Sequence, residues 1–146
     1  MREVFLDSSV LLLAAGAPHP LQGACRAIVD EVASGRVRGH LSVEAVQEFV
    51  HHRMRRDDPR AVPAARAISR FCVVHPFDLA VLDGALALVA AGSVRGRDAV
   101  HAATALHAGF TEICSADTDF DRVPELDRLD PQRWVETAAL RRERRR

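Results

Sequence analysis

The sequence predicts an α/β fold with a mostly parallel central sheet. Short apolar segments alternate along the chain with longer segments whose apolar residues recur every three or four positions, and this alternation is typical of βαβ units. The chain has 146 residues, of which 48% are hydrophobic, and this is enough for one domain with one core. We therefore expect a single domain over residues 1–140, followed by a short basic tail over residues 141–146.

Four short apolar segments are the predicted strands. They span residues 4–6, 39–41, 72–74 and 112–114. In open parallel sheets, ligands bind at the carboxyl ends of the strands, where the loops leave the sheet. Asp7 follows the first of these strands and Asp117 comes just after the last, so functional side chains are expected at this edge.

Five segments have helical periodicity. They span residues 20–34, 43–54, 60–70, 78–91 and 98–109. A further helix over residues 8–15 is expected if Asp7 is an N-cap. In the segment 78–91 the spacing predicts an apolar stripe that faces the core. This stripe consists of Leu79, Leu82, Leu86 and Val89. The segments 20–34 and 43–54 carry more apolar positions than one core needs, which is compatible with a partner surface.

Charge is unevenly distributed along the chain. The 20 acidic and 20 basic residues balance, but the last six residues, RRERRR, have a net charge of +4 and leave residues 1–140 at −4. Every basic residue is arginine, and the chain contains neither lysine nor asparagine. The body of the protein is therefore acidic and its end is basic.

Hydropathy and cysteine usage indicate the compartment. No stretch approaches the roughly 18 apolar residues of a membrane span, and the N-terminus leads into a strand rather than a cleavable signal. Cys25, Cys72 and Cys114 are odd in number, far apart and set in apolar segments, which favours reduced core thiols over disulfides. Cys72 and His75 are two ligands, too few for a zinc site. We expect a cytoplasmic protein.

Several carboxylates have an ordinary structural explanation when they are taken one at a time. Asp7 and Asp98 each stand at the start of a helical segment, where Asp serves as a cap or a favourable first-turn charge. Glu44 and Glu48 lie one turn apart on the helix opened by Ser42, where they would repel each other. A solvated helix face explains that pair equally well.

The segment SADTDFDR, residues 115–122, places three aspartates within five positions. Asp117, Asp119 and Asp121 could form a turn or a helix start, since Asp favours both. Like charges this close repel, however, and a hard cation with oxygen ligands relieves the repulsion. Mg²⁺ and Mn²⁺ prefer such ligands, and two ions about 4 Å apart can clamp the attacking and leaving oxygens of a phosphodiester. Acids gathered at one sheet edge could therefore act on nucleic acid.

Four segments together resemble the PIN domain, specifically the VapC toxins of bacterial toxin–antitoxin pairs. In the order of the family, they are VFLDSSVLL, LSVEAVQEFVHH, RGRDAVHAATALHAG and ICSADTDFDRVPEL. The resemblance covers about residues 3–130, and its most specific parts are RDAVHAATAL and SADTDF. It implies a three-layer α/β/α domain around the mostly parallel sheet.

The resemblance also implies an acidic quartet. Carried over position by position, the quartet is Asp7, Glu48, Asp98 and Asp117. These residues would hold one or two Mg²⁺ or Mn²⁺ ions for the hydrolysis of RNA to products with 5′-phosphate and 3′-hydroxyl ends. Glu48 is preferred to Glu44 because it stands six residues after Ser42, as the family's acid usually stands after its Ser or Thr.

The residues around the quartet are given supporting roles by the same resemblance. Asp119 is expected to be an auxiliary or second-metal ligand, and Asp121 a surface residue. Ser9 stands where the family often has Asn, and its hydroxyl can still bond a carboxylate or a water. Ser115 is expected to orient Asp117. His101, one turn after Asp98, is expected to be a packing or hydrogen-bonding residue.

The expected partners also follow from the resemblance. They are an RNA substrate, a cognate VapB-like antitoxin and a second copy of the chain, with no membrane. A basic cluster after the Glu48 helix could bind RNA phosphates, although a solvated surface explains it equally well. This cluster consists of Arg53, Arg55, Arg56 and Arg60.

Other classes of protein remain as alternatives. A PIN-fold module that binds RNA or protein without catalysis is the main one. Phosphatases of the haloacid dehalogenase type and receiver domains also place acids at strand ends, but both normally use a lysine, which this chain lacks. A ribonuclease-H-like nuclease would need a leading antiparallel meander, whereas a single short strand precedes Asp7.

Overall fold

The computed structural model describes residues 1–146 and contains five short strands and seven helices. The strands are β1 (Arg2–Phe5), β2 (Val37–Ser42), β3 (Cys72–His75), β4 (Glu112–Cys114) and β5 (Asp127–Leu129). The helices are α1 (Ser8–Ala15), α2 (Gln22–Ala33), α3 (Val43–Met54), α4 (Ala61–Phe71), α5 (Leu79–Ala90), α6 (Gly96–His107) and α7 (Pro131–Glu143). A short 3-10 helix, Thr118–Arg122, lies between β4 and β5.

All strand pairings are parallel. Strand β2 pairs with β1 on one side and β3 on the other, while β4 pairs with β5. A parallel bridge between Leu6 and Cys114 joins β1 to β4, and the Asp7 N–H donates to the Cys114 carbonyl at 3.0 Å. The carboxyl ends of β1 and β4 are therefore adjacent.

Helices cover both faces of the sheet and create two apolar clusters. Val4 and Leu6 point into the larger cluster with residues of α1, α2, α3, α4 and α7. Phe5, which lies between them, points into the cluster formed with α5 and α6, because successive strand side chains alternate between faces. The predicted three-layer α/β/α architecture is confirmed.

The helix starts follow the capping residues in the sequence. The side chains of Asp7, Ser42 and Asp78 accept backbone N–H bonds at the starts of α1, α3 and α5, as expected for N-caps. The predicted ranges 8–15 and 43–54 agree with α1 and α3, and the other predicted helices differ from the observed ends by one or two residues.

Two elements near the C-terminus were not predicted. Strand β5 has three residues and two of them are charged, so it has no apolar pattern. Helix α7 begins with Asp130 as its cap and Pro131 in its first turn, and it buries Trp134. It continues through Glu143, so the first residues of the predicted basic tail belong to a helix.

The prediction for the inward face of α5 was wrong. The residues that face the core are Val81, Ala85 and Leu88. The predicted stripe lies on the opposite side of the helix, where Leu79 is 78% exposed and Leu86 is 56% exposed. Because nearly every position of α5 is apolar, periodicity could not tell its two faces apart.

The surplus of apolar surface therefore lies on α5 rather than on α2 and α3. On α2, Cys25, Ile28 and Val32 are buried in the larger cluster, and on α3 Phe49 is buried there too. The α5 stripe, which consists of Leu79, Leu82, Leu86 and Val89, is at least 37% exposed at each position.

Close packing fixes Gly39 in the middle of β2. A Cβ atom at this position would lie 2.6 Å from a Val32 methyl group and 3.1 Å from the Cys72 sulfur, so α2 can approach the sheet only over a glycine. All three cysteines are free, and Cys25 and Cys114 are buried. No helix in the chain combines the length and apolar character needed to cross a membrane.

Candidate metal centre

Four of the predicted acids come from separate elements and meet at the carboxyl edge of the sheet. Asp7 follows β1, Asp117 follows β4, Asp98 lies in the first turn of α6 and Glu48 lies on α3. Asp7 is 2% exposed, although an unpaired carboxylate would be costly to bury. This edge is where ligands bind in open parallel sheets.

The carboxylates form two overlapping sets of potential metal ligands. One oxygen or nitrogen atom from each of Asp7, Asp98 and His101 lies within 4.8 Å of the other two, and the same holds for Asp98, Asp117 and Asp119. Asp98 belongs to both sets. Glu48 belongs to neither set, and it joins the site through His101.

Serine hydroxyls hold Asp7 in place. Ser115 donates to Asp7 Oδ2 at 2.8 Å, while the Ser9 N–H donates to the same oxygen at 3.3 Å. Ser115 Oγ also accepts the Asp117 N–H at 2.9 Å. The side chain of Ser115 thus links the acids of β1 and β4, and it orients Asp7 directly and Asp117 through the backbone.

Ser9 also connects the two loops. Its hydroxyl lies 3.3 Å from that of Ser115 and accepts the Ala116 N–H at 3.2 Å. A hydroxyl therefore fills the position where the PIN resemblance suggests asparagine, and its contacts join the loop after β1 to the loop after β4.

A buried histidine positions Glu48. His101 is fully buried, its Nε2 lies 3.0 Å from Glu48 Oε2 and 3.9 Å from Asp7 Oδ1, and its Nδ1 lies 2.7 Å from Ser42 Oγ. The hydrogen bond from His101 lowers the pKa of Glu48 below its ordinary value. Burial alone would lower the pKa of His101, but the bond to Glu48 and the charge of Asp7 raise it.

Electrostatic repulsion is concentrated on Asp98. Burial, together with the charges of Asp7 and Asp117, raises the pKa of Asp98 from 3.8 to about 7. Such a pKa means that the surroundings of the carboxyl group destabilise its ionised form. A divalent cation between the acids would reverse that effect, so the donor set fits a hard metal ion.

Two other acids considered in the sequence lie outside the two ligand sets. Glu44 is 3.5 Å from Arg97, and Asp121 accepts from Arg128 at 2.9 Å. Asp117 caps the turn that follows it, since its Oδ1 accepts the Asp119 N–H at 2.9 Å, and the carboxylate of Asp119 belongs to the second ligand set.

The predicted arginine cluster is only partly free for a ligand. Arg53 is 14% exposed and pairs with Asp58 at 2.9 Å, so it supports the loop between α3 and α4. Arg55, Arg56 and Arg60 are exposed. Their role in RNA binding stays a prediction.

Sequence reasoning missed two arginines beside the acids. Arg95 and Arg122 line a cavity of about 500 Å³ together with Asp98 and Asp119. Neither arginine has a carboxylate partner among the ion pairs of the protein. Each lies three residues in sequence from one of these acids, Arg95 from Asp98 and Arg122 from Asp119, and this proximity was the available signal.

Comparison with known proteins identifies the class of this domain. The PIN domain family matches residues 4–126. Ribonuclease VapC7 of Mycobacterium tuberculosis is 31% identical over 132 residues, which cover 88% of this chain and 91% of the relative. Ribonuclease VapC13 of the same organism is 29% identical over 129 residues, 86% of this chain and 98% of that protein.

Solved structures show the same fold. VapC20 of Mycobacterium tuberculosis, described as a toxin that cleaves the sarcin-ricin loop, superposes with a TM-score of 0.68 at 21% identity, covering 83% of this chain and 95% of that chain. A toxin–antitoxin complex from Klebsiella pneumoniae gives a TM-score of 0.67 at 16% identity, with 88% and 97% covered.

The fold and its acidic edge define a PIN domain. This chain belongs to the PIN domain family and, within it, to the VapC group. The predicted resemblance is confirmed.

Proposed function

We propose that this protein is a divalent-metal-dependent endoribonuclease and the toxin of a type II toxin–antitoxin pair. The observation that carries the proposal is the pair of ligand sets that share Asp98 at the carboxyl edge of the sheet. The names of the relatives, which are VapC ribonucleases, support the same activity. Action on cellular RNA would place the protein in the cytoplasm.

The proposed cofactor is Mg²⁺ or Mn²⁺. Asp7, Asp98 and Asp117 would be the main ligands, with Asp119 as an auxiliary ligand and Glu48 acting beside His101. When bound, such ions activate water for attack on phosphorus and stabilise the charge that develops on the phosphate. Carboxylate oxygens are the ligands that both ions prefer.

The side chains of this site are held in place before any substrate arrives. Asp7 cannot rotate freely, because Ser115 and the Ser9 N–H fix one of its oxygens. Glu48 is fixed by His101, and His101 is fixed in turn by Ser42. Such support keeps acids at catalytic spacing despite their mutual repulsion.

Arginines beside the acids would bind the phosphates that flank the scissile bond. Arg95 and Arg122 are exposed and share the cavity with Asp98. Guanidinium groups match phosphate oxygens with two parallel hydrogen bonds. We propose that Arg95 and Arg122 bind the phosphates of the substrate backbone. Arg55, Arg56 and Arg60 are further candidates for binding more distant phosphates.

A VapB-like antitoxin is the proposed protein partner. Structural neighbours of this chain include the toxin–antitoxin complex from Klebsiella pneumoniae and a VapBC complex from Salmonella typhimurium bound to DNA. Copurification of this chain with the product of an adjacent gene, followed by loss of nuclease activity in the complex, would test this partner.

A second copy of the chain is the proposed partner for the α5 stripe. The stripe repeats with spacings of three and four residues, which is the spacing of residues that interlock between two helices. Within Leu79–Ala90 the single charged residue is Asp83. A face of this kind is compatible with packing against an identical face in a twofold dimer.

The nuclease proposal is tested by incubating purified protein, free of any antitoxin, with end-labelled cellular RNA. Wild-type protein in Mg²⁺ or Mn²⁺ is compared with protein in EDTA, with Asp98→Asn and with the control Asp121→Asn. Discrete fragments that require both metal and Asp98 are expected. Equal cleavage by Asp98→Asn would reject this site, and no cleavage of any RNA would favour the non-catalytic binding module.

A further inference from the structure

A basic cleft opens at the amino-terminal edge of the sheet, at the end of β1 opposite the carboxylates. It has a volume of about 480 Å³ and is formed by the starts of β1 and β2, the end of α2 and the outer turns of α7. Its basic residues are Arg2, Arg36, Arg141, Arg142 and Arg145. Glu31 is the single acidic residue among those that line it.

The positive charge of the basic cleft is only partly neutralised. The Glu31 side chain is 13% exposed and pairs with Arg36 at 3.2 Å and with Arg142. Arg2, Arg141 and Arg145 form no ion pair with any carboxylate of the chain. Three guanidinium groups therefore converge on the cleft without a counterion from the protein.

A buried aromatic ring forms the base of the cleft. The Arg2 guanidinium stacks over the Trp134 ring, 4.2 Å from its centroid, and Trp134 is 2% exposed. Such stacking restrains the long arginine side chain and leaves its N–H groups available. Burial and the nearby charge of Arg141 lower the pKa of Arg2. The arrangement differs from a set of independent, fully solvated charges.

We propose that the basic cleft binds the sugar-phosphate backbone of RNA, at a segment separate from the one that enters the carboxylate site. The inference deepens the proposed ribonuclease function and rests on it. Arginine forks recognise phosphates through paired hydrogen bonds. Trp134 is too buried to stack on bases, so recognition here depends on the backbone and carries no base preference.

The position of the cleft suits a second contact on a folded substrate. Arg2 and Asp7 are five residues apart along the direction of β1, which corresponds to about 17 Å at roughly 3.3 Å per residue. RNA that enters the acidic edge could place another of its segments in the basic cleft. Residues 1–140 have a net charge of −4, so unpaired arginines gathered in the cleft would add substantially to the attraction for phosphate.

The proposal is tested by RNA binding in the absence of cleavage. Fluorescence anisotropy of a labelled RNA hairpin with a single-stranded tail is measured in EDTA over a series of salt concentrations. Wild-type protein is compared with Arg141→Gln/Arg145→Gln and with the control Arg66→Gln/Arg70→Gln. The control removes the same charge from exposed positions of α4, outside the cleft.

The cleft variant is expected to bind RNA about tenfold more weakly at low salt. The slope of the logarithm of its association constant against the logarithm of salt concentration should become less negative by about 1–2. The control should keep most of the wild-type slope. Equal losses in both double variants, or no loss in either, would overturn the proposal and leave an acidic protein partner as the occupant to test.

Because binding is measured without metal, the result does not depend on catalysis. A reduced slope in a protein that cleaves no RNA would support the cleft and reject the nuclease. A metal-dependent nuclease whose cleft variant binds like the control would retain the proposed function and lose this inference.

Discussion

His101 Nε2 lies 3.0 Å from Glu48 Oε2 and links that carboxylate to the buried aspartates of the site. The histidine comes from α6 and the glutamate from α3, so this bond, together with the pair between Arg97 and Glu44, joins the two helices. His101 is therefore a positioning residue for Glu48.

Replacing His101 with Ala should separate that role from simple packing. We expect metal affinity or cleavage rate to fall about 10–100-fold, as is usual when a residue that supports a ligand is lost. The pKa of Glu48, followed by NMR, should rise because its hydrogen-bond donor is gone. His101→Gln should restore part of both. A Glu48 pKa that does not move in His101→Ala would contradict the assignment.

Removal of the Ser115 hydroxyl should weaken the site and the fold together. In Ser115→Ala, Asp7 Oδ2 keeps the Ser9 N–H at 3.3 Å but loses its 2.8 Å donor, and the Asp117 N–H loses its acceptor. Loss of hydrogen-bond partners by buried groups costs about 1–3 kcal/mol. Urea unfolding measures that loss of free energy. The control Ser69→Ala removes a hydroxyl that bonds a helix carbonyl outside the site. Equal stabilities of the two variants would argue against the role of Ser115.

The stability of the metal-free protein should depend on pH through Asp98. Its folded pKa is about 7 against an ordinary value of 3.8, so between these values the folded state binds more protons than the unfolded state. The free energy of unfolding should consequently fall as pH rises from about 4 to about 7.

Asp98→Asn should flatten that dependence and stabilise the metal-free protein above pH 7 by on the order of 1–2 kcal/mol, after allowance for solvent screening. Addition of Mg²⁺ should stabilise the wild type more than the variant. Urea denaturation at several pH values measures both effects. If the free energy of unfolding depends on pH in the same way in both proteins, ionisation of Asp98 does not destabilise the fold, and the prediction is wrong.

The α5 stripe should control self-association. Leu86→Glu places a charge in the middle of the stripe, whereas Val62→Glu places the same charge on the exposed face of α4. Light scattering coupled to size-exclusion chromatography should show a dimer for the wild type and Val62→Glu, and a monomer for Leu86→Glu. A dimeric Leu86→Glu protein would remove α5 from the interface.

Much of the architecture was readable because local signals agreed with one another. Asp7 and Ser42 cap their helices as their positions suggested, and short apolar segments predicted the strands that precede Asp7 and Asp117. The buried face of α5 could not be predicted, because apolar residues occur on every side of this helix and the sequence has no polar face to set against an apolar one. Strand β5 was too short and too charged to be recognised.

The site was predicted less completely than the fold. The acids could be selected because their types and order resemble the family, but their spacing could not reveal the hydrogen bonds among them. His101 was regarded as a packing or hydrogen-bonding residue, and sequence alone could not show that its partner is Glu48. Arg95 and Arg122 were missed because only the folded chain brings them into one cavity with Asp98 and Asp119.

Calorimetric titration with Mn²⁺ measures whether the carboxylates hold a divalent cation, on which the proposed nuclease activity depends. Wild-type protein is compared with Asp98→Asn, which affects both ligand sets, and with Asp121→Asn, whose carboxylate pairs with Arg128 outside them. We expect saturable binding to the wild type and Asp121→Asn, with at least about tenfold weaker binding to Asp98→Asn. Equal binding to all three proteins, or no binding to any, would contradict it.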